Sequence, residues 1–92
     1  KRFSLSQNFP NPFNPITHLN YTLVNPGIIH LAIYDVLGKQ IYTIHDGYQR
    51  EGGHNVQWTG VNQNGNQVPS GVYFFKLETK SNTITKKMVL TK

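Results

Sequence analysis

The groups in this chain that could do acid–base or metal chemistry are few. Four histidines (His18, His30, His45, His54) and four carboxylates (Asp35, Asp46, Glu51, Glu78) are spread over 92 residues. A metal site needs ligands that converge, commonly at a fixed short spacing, and no pair of these histidines has one. His18 and His30 would be neighbours if the strands carrying them paired, on the face away from the core. Exposed polar positions on a sheet are the simpler reading. A glycosidase needs two carboxyls roughly 5–9 Å apart across a cleft; nothing indicates a cleft, and Asp35 and Asp46 both stand where turn-formers stand. So few acids also argue against a dedicated calcium cage. Ser4, Ser6, Ser70 and Ser81 lack the elbow motif of a hydrolase nucleophile, and Gly52-Gly53 has neither the glycine spacing nor the following helix of a phosphate loop. The expectation is a protein that is not an enzyme and holds no metal or cofactor.

Binding chemistry has two other candidate carriers. Tyr34, Tyr42, Tyr48 and Phe74 could form a sugar platform, although such residues are also ordinary strand formers. Nine basic residues against four acidic ones give a net charge of +5. Five of the basic residues, Lys76, Lys80, Lys86, Lys87 and Lys92, fall in the last two apolar segments and the tail. They could face an anionic partner, or solubilise an edge strand and block edge-to-edge pairing; the second reading is preferred for Lys76 and Lys80. With no cysteine, disulfides and thiolate chemistry are excluded. No apolar run approaches the roughly 20 residues that cross a bilayer. No charged-then-apolar leader is visible, so export would require an upstream segment.

The elements that must position these groups are strands. Short apolar alternations recur between Gly, Pro and Asn clusters, the pattern of an all-β sandwich or barrel. Residues 17–23 form the first, with Leu19, Tyr21 and Leu23 on one face. Asn25-Pro26-Gly27 is a turn. Ile29, Leu31 and Ile33 then line one face of a second strand, and residues 40–45 form a third that Asp46-Gly47 should end. Val56 and Trp58 alternate on a fourth. Residues 72–78 and about 83–90 are joined by a short Lys80-Ser81-Asn82 turn. Six or seven antiparallel strands in two facing sheets would bury Leu19, Tyr21, Leu23, Leu31, Ile33, Ile41, Val56, Trp58, Tyr73, Phe75, Leu77, Met88 and Leu90, each contributing about 1.5–3 kcal/mol when fully enclosed.

Ahead of the first strand lies Asn8-Phe9-Pro10-Asn11-Pro12-Phe13-Asn14-Pro15. Its prolines bar a helix and an internal strand. Residues 1–15 are therefore expected as an extended lead-in and residues 16–92 as the sandwich. Phe9 and Phe13 would tether the lead-in to the folded body; a bare Pro-rich linker is the equal alternative from local chemistry.

Four blocks, taken together and in order, resemble the type A C-terminal sorting domain of the type IX secretion system. They are SLSQNFPNPFNP, IYDVLGKQI, GHNVQW followed by NGNQVPSGVYFFKL, and the terminal KKMVL. That family is similar to the immunoglobulin-like domain of flagellar hook-cap proteins, which implies a small immunoglobulin-like antiparallel β-sandwich. It further implies that the lead-in joins an upstream cargo domain, and that the cargo is exported through the periplasm and outer membrane to the cell surface or medium. The implied partners are the secretion translocon and a surface sorting peptidase, not nucleic acid. Gly71 and Tyr73 fall on the family's Gly-x-Tyr motif, with Pro69 preceding it; Lys86 and Lys87 of the last block, with Lys92 beyond it, are the candidate basic recognition end. A carbohydrate-binding module or a structural spacer of a secreted polysaccharide-degrading enzyme is the competing expectation.

Overall fold

The computed structural model describes residues 3–92. It contains seven strands and, among the described residues, no helix: β1 (Ser4–Leu5), β2 (Thr17–Leu23), β3 (Gly27–Tyr34), β4 (Gln40–Gln49), β5 (Gly52–Trp58), β6 (Gly71–Glu78) and β7 (Thr83–Leu90). They form two antiparallel sheets, one ordered β1-β2-β5 and the other β4-β3-β6-β7. The expected immunoglobulin-like sandwich is therefore present.

Alternation decides which side chains meet between the sheets. Thr17, Leu19, Tyr21 and Leu23 of β2 point inward and are enclosed, as are Tyr73, Phe75 and Leu77 of β6. Of the thirteen expected core residues, Ile41 and Val56 are only half-buried and pack against the cluster's margin. Leu5, Phe13, Ile29 and Val68 complete the buried cluster. At its centre lies Trp58. The Phe13 ring sits 5.7 Å from it between centroids and the Tyr73 ring 5.5 Å, the latter edge-on. The indole N–H donates to the Val61 carbonyl at 2.8 Å, so the buried ring leaves no polar atom unpaired.

Not every pair of neighbouring strands is joined within one sheet. β3 and β4 pair, as do β6 and β7, but β2 and β3 lie in different sheets, because the Asn25-Pro26 turn carries the chain across the sandwich. His18 and His30 are consequently not neighbours: His18 lies opposite Gln57 and His30 opposite Asp46. β4 also continues through Asp46-Gly47 to Gln49. Its register against β3 slips twice, leaving Ile44 and Ile41 as extra residues. Each slip shifts the inward–outward phase, so every residue from Ile41 to His45 is half-buried and the sequence alternation is blurred. Gln63 completes the irregular edge: its backbone N–H donates to the Ile41 carbonyl at 2.8 Å, and its side-chain oxygen accepts from the Thr43 N–H at 2.9 Å.

Truncating Trp58 to Ala removes the contact shared by Phe13 of the lead-in, β5 and β6 and is expected to cost about 3–5 kcal/mol. Phe13→Ala is expected to fall in the same range, whereas Phe9→Ala should stay within about 0.5 kcal/mol, because the Phe9 ring is 77% exposed. Urea unfolding of the three variants measures the contrast.

Candidate functional site

The residues singled out near the chain's end are gathered by the pairing of β6 with β7. In that register Gly71 lies opposite Leu90, Tyr73 opposite Met88 and Phe74 opposite Lys87. Gly71 has φ +153°, and a Cβ added there would meet nothing within 4 Å. The requirement for glycine is thus conformational and not spatial. Tyr73 places its ring against Trp58, and its hydroxyl donates to the Pro69 carbonyl at 2.6 Å. That bond fixes the path by which the chain enters β6, much as a tyrosine corner does in other sandwiches. Burial, with the Asp35 charge adding to it, pushes the Tyr73 hydroxyl pKa up, so it stays a donor. Lys86 is half-buried, while Lys87 and Lys92 are exposed. Among the described residues the ion pairs are His30–Asp46 and Lys76–Glu78, so these three lysines present uncompensated charge.

The segment before β2 joins the same place. β7 is the outer strand of its sheet, and residues 7–13 run along its free side. Gln7 Nε2 donates to the Lys87 carbonyl at 2.7 Å, and Val89 N–H donates to Asn11 Oδ1 at 2.9 Å. Phe13 N–H then donates to the Val89 carbonyl at 3.0 Å, and Thr91 N–H to the Phe13 carbonyl at 2.9 Å. The strap thereby pairs the groups that would otherwise leave the C-terminal half of β7 open. Its bend is organised by Asn8, which is buried: Nδ2 donates to Thr17 Oγ1 at 2.9 Å and to the Pro10 carbonyl at 3.1 Å. The peptide bonds before Pro10, Pro12 and Pro15 are cis. Phe13 inserts its ring into the core, but Phe9 does not; Phe9 is held by its backbone, which exchanges bonds with His18 at 3.0 and 2.9 Å. The side chains of Gln7, Asn8 and Asn11 add to the fastening and were not foreseen individually. The repeated Asn between prolines was the available signal.

A second polar cluster occupies the outer face of the larger sheet. His30 Nδ1 lies 3.2 Å from Asp46 Oδ1, and its Nε2 lies 2.9 Å from Gln40 Oε1, which also accepts from the Tyr34 hydroxyl at 3.1 Å. Both ring nitrogens thus face acceptors, an arrangement that only the imidazolium fully satisfies. The hydrogen bond to Gln40 is the largest influence; burial opposes it, and Asp46 adds to it, so the His30 pKa is raised. Among the described residues no group of three or more His, Cys, Asp or Glu could hold a metal. The four candidate platform aromatics do not form one row: Tyr42 packs on the core margin, Tyr34 faces Phe74 across strands beneath the Lys76 ammonium, and Tyr48 stands apart.

With the geometry in hand, the likenesses become informative. The FlgD Ig-like domain family matches residues 27–83, from the start of β3 to the start of β7. The chain belongs to this family. No curated protein matches it in sequence. Among solved structures, FlgD from P. aeruginosa is similar over 80% of this chain and 57% of its own, with TM-score 0.62 and 24% identity. PorZ, described as an essential surface component of the type IX secretion system of Porphyromonas gingivalis, is similar over 98% of this chain (TM-score 0.62, 18% identity). Dimeric latent PorU from Porphyromonas gingivalis is similar over 99% (TM-score 0.71, 16% identity). This chain spans 11% of the PorZ chain and 10% of the PorU chain. At such identities the likeness is one of fold.

The His30 cluster yields a signed pH dependence. With its folded pKa above the unfolded value of about 6.5, His30 contributes stability that is fully present below about 6.5 and is lost as pH rises through the folded pKa. Urea midpoints measured from about pH 5 to about pH 9 should show a decline above about 6.5 from this group. Gln40→Leu should flatten that decline, and the His30 ring resonances should titrate closer to the ordinary value.

Proposed function

We propose that this chain is a non-catalytic C-terminal sorting domain that directs an upstream cargo protein across the outer membrane through the type IX secretion system, for surface attachment or release. One observation supports the reading above the others. The strap, which would be the junction with cargo, is hydrogen-bonded along the terminal strand beside the Gly71–Tyr73 entry. Junction, strand entry and basic end therefore form one contiguous surface that a translocon and a sorting peptidase could engage together. Three of the four sequence blocks contribute to this surface: the first supplies the strap, the third the entry and the last the edge strand. The fold likeness to two proteins of that secretion system, spanning 98% and 99% of this chain, adds weight. In this reading residues 1–15 are the lead-in, residues 16–92 the sorting body, and Lys86, Lys87 and Lys92 the basic recognition end. A carbohydrate-binding role is less favoured, because the exposed aromatics do not line up.

The decisive variant is Lys87→Gln with Lys92→Gln. Both side chains are exposed and without ion-pair partners, so stability should change by less than about 0.5 kcal/mol. Export of a fused cargo in a host with the pathway is expected to fall while the melting temperature holds. Normal export with normal folding would show that these lysines only solubilise the edge, and would leave the Gly71–Tyr73 entry as the place of recognition.

A further inference from the structure

The strap covers only part of β7. In a strand the N–H and C=O of one residue point to one side and those of the next residue to the other. Val89 turns both groups to the strap, Thr91 its N–H and Lys87 its carbonyl. The upstream groups of the same parity are the N–H of Lys87 and both groups of Thr85 and Thr83. They face away from β6, and among the described residues none of them has a partner. β1 comes close to β7, but its ladder is with β2 in the other sheet. Thr83, Thr85 and Lys87 are all exposed. Lys86 and Lys87 project from opposite faces of this stretch, and neither belongs to an ion pair of the described residues. Two carboxylates come near, and both are occupied. Glu78, opposite Thr83, lies 3.9 Å from the Lys76 ammonium. Asp35, which shares a shallow hollow with Thr85, accepts from the N–H groups of Leu37 and Lys39 at 2.9 Å.

We propose that the open half of β7, Thr83 to Lys87, takes up an extended acidic segment of a partner protein as an added strand. The β7 backbone supplies the ladder bonds, and the two lysines set the charge of what can pair there. The fold carries its own precedent, because the strap is an extended stretch that already lies along the other half of this edge through Phe13, Val89 and Thr91. A second copy is a poor occupant. Two such edges side by side would set Lys86 and Lys87 against like charges, in a chain whose net charge is already +5. The same lysines thus reject self-pairing and admit an acidic strand. This inference does not need the sorting role; where that role holds, the acidic strand belongs to the machinery that reads this edge.

An NMR titration of the 92-residue chain tests it, with the end-blocked peptide Glu-Val-Glu-Val-Glu-Val as probe, in low salt, where surface charge is least screened. Amide shifts should centre on Thr83, Thr85 and Lys87, and exchange of these N–H groups with solvent should slow roughly tenfold or more at saturation. The peptide Glu-Pro-Glu-Pro-Glu-Pro has the same charge but lacks alternate donors, and should bind roughly tenfold more weakly or worse. Thr85→Pro removes an outward donor and leaves the β6 ladder intact, a position where an edge strand tolerates proline; it should abolish the slowed exchange. If that variant fails to fold, Lys87→Glu, at an exposed position, should weaken binding roughly tenfold. Equal binding of the two peptides would show that the lysines attract any anion, and would overturn strand addition. No binding of the Glu-Val peptide, shifts centred on another strand, or binding unchanged in the variants would overturn it as well. The assay contains no secretion machinery, so its failure leaves the sorting reading standing.

Discussion

Everything in this sandwich converges on the enclosure of Trp58. The ring is supplied by β5 of the smaller sheet, is met edge-on by Tyr73 of the larger sheet, and is covered by Phe13 of the strap. Three stretches far apart in sequence thus share one apolar contact. A domain of this size has little other interior to draw on, since a short chain buries a smaller fraction of its surface than a long one. The polar atoms of these rings are also settled locally, the indole on Val61 and the Tyr73 hydroxyl on Pro69. The entry to β6 and the loop after β5 are therefore held by the same aromatic cluster that joins the sheets.

The outer strands show a second constraint. A four-stranded sheet has two free sides, each a row of unpaired backbone groups open to wrong partners. Here the two sides are handled differently. The β4 side is made irregular by two bulges and pinned by Gln63, and the β7 side is covered over its C-terminal half by the strap. Lys87, also on β7, adds an exposed charge to it. These lysines can thus shield an edge and present a charge to a partner without contradiction, since both roles require that the ammonium groups remain in water.

Strands with strict alternation between clear turn-formers were legible in the sequence almost to the residue. β2, β6 and β7 are the cases; β2 and β6 carry an unbroken inward series such as Tyr73, Phe75 and Leu77, and β7 keeps the alternation although Lys86 shares the parity of Met88 and Leu90. β4 was legible only at its start, because bulges break the period of two on which such reading depends, and because Asp46-Gly47 resembles an ending. β1, at two residues, is below the length at which any period exists. Leu5 and Val68 are single apolar residues within polar runs, so only the three-dimensional neighbourhood reveals that they are buried. For the candidate site, the importance of Gly71, Tyr73 and Phe13 could be argued from their types. The fastening of Asn11 to Val89 could not, because a side-chain bond across 78 residues leaves no local trace.

That same fastening makes the strap a record of synthesis. Phe13 leaves the ribosome early in this domain, yet its backbone partners, Val89 and Thr91, are made only once the strands between them have been synthesised. Closing so long a loop is entropically unfavourable until the intervening strands have packed, so the clasp belongs to the final stage of folding. A chain interrupted before β7 would expose the strap, leave Trp58 partly uncovered and lack the paired edge altogether. Whatever engages the clasped surface therefore meets it only on a domain translated through Thr91.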